Sequence, residues 1–201
     1  MKKINYFLFI LFLLFITSCS TKKIHNSEEA FNYIKSLKNY VADIRVTFSN
    51  KRNEESLFLK QYSSEDNNYR LDLENERTYI YKDDKIHVKD LKNNAEYFLE
   101  EEFDEIYKYC FLNEYIKLIY SMDEVIYFDK KLETGEVEHY AAKVNLPTNN
   151  LNMNYAILYI DANKYIPLKL EIYDVKENKR VLIEYLTFEV VEKDLSLFNI
   201  N

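Results

Sequence analysis

A chain of 201 residues with one glycine, two cysteines, no tryptophan and a formal charge of −7 excludes several kinds of protein at once. Phosphate-cradling loops, dinucleotide fingerprints and nucleophile elbows need glycine where backbone turns sharply or approaches a ligand, and Gly135 alone cannot build them. The acidic balance argues against nucleic acid as a partner.

The chain opens on Met1-Lys2-Lys3, followed by an uncharged apolar run over 4–16 and then Ile16-Thr17-Ser18-Cys19. This is the pattern of an export signal, too short to span a bilayer at about 1.5 Å per residue. Residues 1–18 are expected to be a lipoprotein signal peptide, cut so that Cys19 becomes an N-terminus bearing a diacylglyceryl group and a further acyl chain such as palmitate. Two chains give stable anchoring where one binds only marginally. Loss of Lys2 and Lys3 then takes the charge from −7 to −9. Residues 19–26 read as lipidated cysteine and tether, reaching at most about 25 Å. Residues 27–201 read as one domain, lipid-anchored on the outer face of the cytoplasmic or spore membrane. Beyond Cys19 the only cysteine is Cys110, so the mature chain has no intramolecular disulfide, and Cys110 reads as a buried thiol on the apolar side of a helix.

Asn26-Ser27-Glu28-Glu29 predicts a helix start, with Ala30, Ile34, Leu37 and Val41 at helical spacing, giving a helix over 27–40. From Ile44 the period changes to two, with Ile44, Val46 and Phe48 on one side. Strand-like runs follow at 56–63, 69–73, 78–82, 85–90 and 96–100, separated by turn-prone Asn, Asp, Ser and Glu. An acidic run at Glu100, Glu101, Glu102, Asp104 and Glu105 leads into a second helix over 103–121, and strands are expected at 125–130, 137–145, 155–161, 167–174 and 181–191. Short connections pair sequence neighbours. The fold class is α+β: a large curved antiparallel sheet of about ten or eleven strands, a half-barrel whose inner face is covered by two helices.

Three segments carry a resemblance to a known family. They are Asn68-Tyr69-Arg70-Leu71-Asp72, the hairpin from Tyr79 through Asp83-Asp84 to Val88, and Ala156-Ile157-Leu158-Tyr159-Ile160-Asp161 leading to Ile166-Pro167-Leu168-Lys169-Leu170. Behind a lipobox, this order of elements resembles the LolA-like lipoprotein-carrier fold, whose hairpin usually has glycine where Asp84 stands here. Within that fold the chain is most similar to the GerS-like spore germination lipoproteins of clostridia. That resemblance implies a protein that is not an enzyme, needs no cofactor, and binds a spore-cortex N-acetylmuramoyl-L-alanine amidase needed for cortex peptidoglycan modification at germination. It assigns no partner-binding residues.

The remaining candidate sites read as structural. His25, His87 and His139 stand in no metal-ligand spacing. The acidic run has no glycine for a calcium loop, and acids at a helix start complement the macrodipole. Ser56, Ser63, Ser64, Ser121 and Ser196 have neither a nearby histidine nor glycine for an oxyanion hole. Nineteen tyrosines and thirteen phenylalanines are mostly expected in the core, with Tyr165, Tyr173 or Tyr185 as exposed candidates for a protein or sugar contact. Two functions therefore compete: a docking protein for a partner enzyme, or a carrier holding an acyl chain between sheet and helices, which needs an apolar cavity of several hundred Å³. Phe31, Ile34, Leu37, Tyr107, Phe111 and Leu118 are expected to fill that space. A homodimer by strand exchange is left open.

Overall fold

The structure is a computed structural model that describes residues 24–50, 52–74, 76–100 and 107–199. Cys19, the export signal and residues 101–105 of the acidic run lie outside the described residues.

Asn26 caps the first helix as its side chain predicts, accepting a hydrogen bond from the Glu29 amide at 2.9 Å. Glu29 reaches back to the His25 amide at 3.0 Å, a capping box shifted by one residue. This helix, α1, spans Ser27–Ser36 and buries Ala30, Phe31 and Ile34. It is shorter than the expected 27–40: Leu37 is already extended, and Tyr40–Ser49 forms strand β1. Val41, which continues the helical spacing, instead pairs with Tyr62 and Glu189. Backbone pairing on both sides of β1 outweighs one more turn of a helix that the next apolar residue would not have covered.

Strands β2 (Glu54–Ser63), β3 (Tyr69–Leu73), β4 (Arg77–Lys82), β5 (Lys85–Asp90) and β6 (Ala95–Glu100) form a meander on one side of β1. After a 3-10 turn at Tyr107–Cys110 comes α2, Leu112–Ser121. The described part of the expected 103–121 helix is thus split, with Phe111 extended between the two pieces. Strands β7 (Val125–Lys131), β8 (Val137–Asn145), β9 (Tyr155–Asp161), β10 (Pro167–Tyr173) and β11 (Lys179–Tyr185) form a second meander, and β11 closes on β1. The sheet order is β6-β5-β4-β3-β2-β1-β11-β10-β9-β8-β7, all antiparallel. The expected strand over 181–191 breaks after Tyr185: Leu186 donates its amide to Asp43 O at 2.8 Å, and β12 (Glu189–Val190) pairs separately with the start of β1.

Alternation fixes which face is inside. Tyr40, Ala42, Ile44 and Val46 on β1 are fully buried, and their register partners Gln61, Leu59, Tyr185 and Ile183 point the same way. Both helices pack on this concave face, α1 against β7 and β8 and α2 against β8.

The scarcity of glycine shows in the turns. Asn67, Glu74, Asp83, Asp84, Asn94, Tyr165 and Glu177 all adopt positive φ, as does Gly135 at +87°. Asp83 and Asp84, at φ 55° and 58°, make the mirror-image turn that favours a two-residue hairpin, so the β4–β5 hairpin forms without the family's glycine.

Candidate functional site

The concave face is where a carrier would hold an acyl chain, and here it is occupied by the protein's own side chains. Phe31 and Ile34 from α1, and Phe111, Leu112 and Tyr115 from the second helical region, are at most 1% exposed. Leu37 is also buried, while Tyr107 and Leu118 pack against the same cluster partly buried. The Phe111 ring lies between Tyr69 at 4.8 Å, stacked, and Tyr81 at 5.3 Å, edge-on.

Three tyrosines pin the second helical region to this face. The Tyr40 hydroxyl accepts the Leu112 amide at 2.8 Å and donates to Gln61 Oε1 at 3.4 Å. It thereby serves as the cap that α2 lacks, since Phe111 offers no side-chain bond. The Tyr115 hydroxyl lies 2.9 Å from Ala156 O and 3.1 Å from Ala142 O, holding α2 over β8 and β9. Tyr185, expected among the exposed candidates, is instead buried and donates to Cys110 O at 2.9 Å. It lies two residues after Ile183 on the inner face of β11 and opposite Ile44 of β1, so its side chain is directed inward by the strand period. Burial pushes all three phenols well above their usual range and keeps them as neutral donors. Helical spacing with Leu112, Ile116 and Ile119 was the signal that could have placed Tyr115 inside.

The convex face carries the polar features. Glu171 is only 5% exposed, yet its carboxylate receives Lys169 at 2.9 Å, Lys179 at 3.3 Å and the Tyr173 hydroxyl at 2.8 Å. Burial alone would raise its pKa, but these donors outweigh it and hold the group below its usual 4.5. Arg45 pairs with Glu184 directly across β1 and β11. Tyr155 stacks on Tyr173 at 4.9 Å, with the Lys143 ammonium 3.8 Å from the Tyr155 ring centre. A groove of about 420 Å³ crosses β1–β3, lined by Asp43, Phe58, Lys60, Asp72 and Leu186 among others. Its charged rim and place outside the helices do not suit an acyl chain. At the end of β3 the C-terminal segment straps over this face: Lys193 reaches Glu65 at 3.0 Å and Asp66 at 2.7 Å, Arg70 donates to Leu197 O at 3.3 Å, and Phe198 is 3% exposed.

The sequence candidates are scattered. His87 is buried on the convex side, stacked on Phe98 at 4.7 Å, with Nε2 3.3 Å from Glu96. His139 lies on β8, its pKa lowered by desolvation, and no group of three or more metal-ligating residues occurs among the described residues. Ser56 bonds Thr47, Ser63 receives Asn113, Ser121 and Ser196 bond local groups, and the Ser64 hydroxyl accepts from the Asp66 amide. Cys110 is fully buried, whereas Tyr165 and Tyr173 are half-buried.

The profile of the family described as "Sporulation protein YdcC-like" matches residues 1–198. The chain belongs to that family. No curated protein sequence is similar to it. Among solved structures, an uncharacterised conserved protein from Thermus thermophilus superposes with a TM-score of 0.56 at 10% identity, over 87% of this chain and 94% of that one. A LolA superfamily protein from Nitrosomonas europaea aligns at 9% identity and TM-score 0.45, over 88% and 99%. The GerS lipoprotein of Clostridioides difficile, solved in complex with the CwlD amidase, aligns at 23% identity and TM-score 0.49, over 84% and 98%. The open curved sheet with two helices on its concave face is a LolA-like α+β architecture.

Proposed function

We propose that this sporulation-family protein is a non-enzymatic lipoprotein, anchored through Cys19, that binds and supports a spore-cortex N-acetylmuramoyl-L-alanine amidase. The observation that carries the choice of docking over carriage is the filling of the concave face by Phe31, Ile34, Phe111, Leu112 and Tyr115. An acyl chain would have to displace these side chains, at several kcal/mol for each large one removed from its packing. The family gives the setting, sporulation. The partner is suggested by the resemblance of a lipid-anchored, acidic chain of this fold to GerS-like lipoproteins, and an amidase of the kind solved with GerS is the enzyme to test.

The test uses the Cys19→Ala chain, lacking any acyl anchor, with the host's cortex amidase in solution. A stable complex on gel filtration is expected. Failure to bind while the domain remains folded by circular dichroism would refute the partner. The second arm is mass spectrometry of detergent-free protein, where stoichiometric co-purifying lipid would establish a carrier instead.

A further inference from the structure

The place where the chain enters the folded body favours one end of the sheet as the end that meets a bilayer. Ile24 is only 9% exposed, and its carbonyl accepts the Tyr140 hydroxyl at 3.4 Å. Three residues on, the Ser27 hydroxyl bonds Asp129, the register partner of Tyr140. The chain is therefore fastened to the β7–β8 hairpin near its turn. Four residues separate Cys19 from Ile24, so five Cα–Cα steps make a leash of at most about 18 Å. From the Asp129–Tyr140 level the hairpin runs roughly 10 Å further to its tip, at about 3.4 Å per residue. In the opposite direction the rest of β8, Tyr140 to Asn145, adds about 17 Å before the 146–154 loop begins.

We infer that the corner formed by the β7–β8 turn, the β9–β10 turn and the outer side of α1 rests on the phospholipid surface that holds the anchor. The inference depends on lipidation at Cys19. Its residues have the character of an interfacial contact. Leu132 at the hairpin tip is 45% exposed, beside exposed Lys131. The β9–β10 turn is tied to this hairpin by the Ala162 amide on Glu138 O at 3.3 Å, and presents Lys164 and Tyr165. The Tyr165 ring meets Tyr33 of α1 edge-on at 6.2 Å, and Tyr33 is 44% exposed. Tyrosines of this kind settle at headgroup level, and lysine stems snorkel there with their charge in water. Glu133 and Glu136 share the hairpin tip and offset Lys131 and Lys164, while Lys130 is already paired with Glu138 at 3.3 Å. The contact is thus held by the leash and by amphipathic side chains more than by net attraction to anionic lipid. Leu151, 70% exposed in the 146–154 loop, then faces away from the membrane.

The absence of tryptophan makes the test direct, because a single introduced one is the only such reporter. Lipidated full chain carrying Leu132→Trp, and separately Leu151→Trp, is reconstituted into vesicles containing phosphatidylcholine brominated on its acyl chains. Co-flotation with vesicles is measured first: a chain that does not float lacks its anchor, and both the lipoprotein reading and this inference fall. For a chain that floats, Leu132→Trp emission is expected to drop about twofold, as for a side chain about 5–10 Å into the headgroup boundary, and Leu151→Trp emission to stay unchanged. Equal quenching of both, or neither, overturns the orientation while leaving the anchor intact. An unquenched but blue-shifted Leu132→Trp would assign the corner to a protein surface or a second copy instead. Adding Lys131→Glu and Lys164→Glu should reduce the quenching without reducing flotation.

Discussion

At single positions, the chain's poverty in glycine is a cost built into its turns. A residue with a Cβ in the left-handed region is strained by roughly 1–2 kcal/mol, most of all where its side chain has no local bond to offer. Glu177, at φ 62° in the exposed β10–β11 turn, is such a case. Glu177→Gly should raise stability by about 0.5–1 kcal/mol, the strain relieved less the added unfolded-state freedom. In thermal unfolding that is an increase of roughly 1–4 °C, whereas Lys176→Gly beside it, not at positive φ, should lower the midpoint. Glu171 sets a pH dependence of known sign. Because its folded pKa lies below the usual 4.5, its contribution is complete above that value and is lost as pH falls through the lowered folded value. Urea midpoints measured from about pH 7 down to about pH 3 should fall, and Glu171→Gln should start lower and fall less.

Between elements, the decisive groups are hydroxyls that a pattern of apolar residues does not reveal. Tyr40→Phe keeps the ring stacked on Phe188 at 4.9 Å but leaves the Leu112 amide and Gln61 without the hydroxyl. An unsatisfied buried donor costs about 1–3 kcal/mol, so α2 should lose that much, seen as a lower denaturant midpoint and faster amide exchange at its first turn. The strands were legible because one face of each is buried and the period of two survives in sequence, as in Tyr40, Ala42, Ile44 and Val46. Their ends were less legible. Val41 fits a helical stripe and a strand equally well, and only the partners on both sides of β1 decide between them. Leu186 ends β11 because its amide turns to Asp43, a contact between residues far apart in the chain. Tyr185, expected among the exposed minority of tyrosines, is put inside by its register with Ile44.

For the molecule as a whole, the choice between the proposed docking role and a carrier turns on what fills the concave side. Phe111 tests this directly, since it is fully buried between Tyr69 and Tyr81 and touches the centre of that side. Phe111→Ala should cost about 3–5 kcal/mol and leave an apolar void comparable to engineered cavities that stay dry and bind benzene. A void of one ring is far smaller than the several hundred Å³ that a drug-sized or larger ligand occupies. The variant should therefore gain a benzene-dependent increase in its lowered melting temperature without retaining lipid after detergent removal. Below that temperature the proposed amidase complex should form with unchanged affinity, because docking through an outer surface would be indifferent to the interior. An affinity that rose or fell together with lipid content would tie partner binding to the interior and overturn the separation of the two roles.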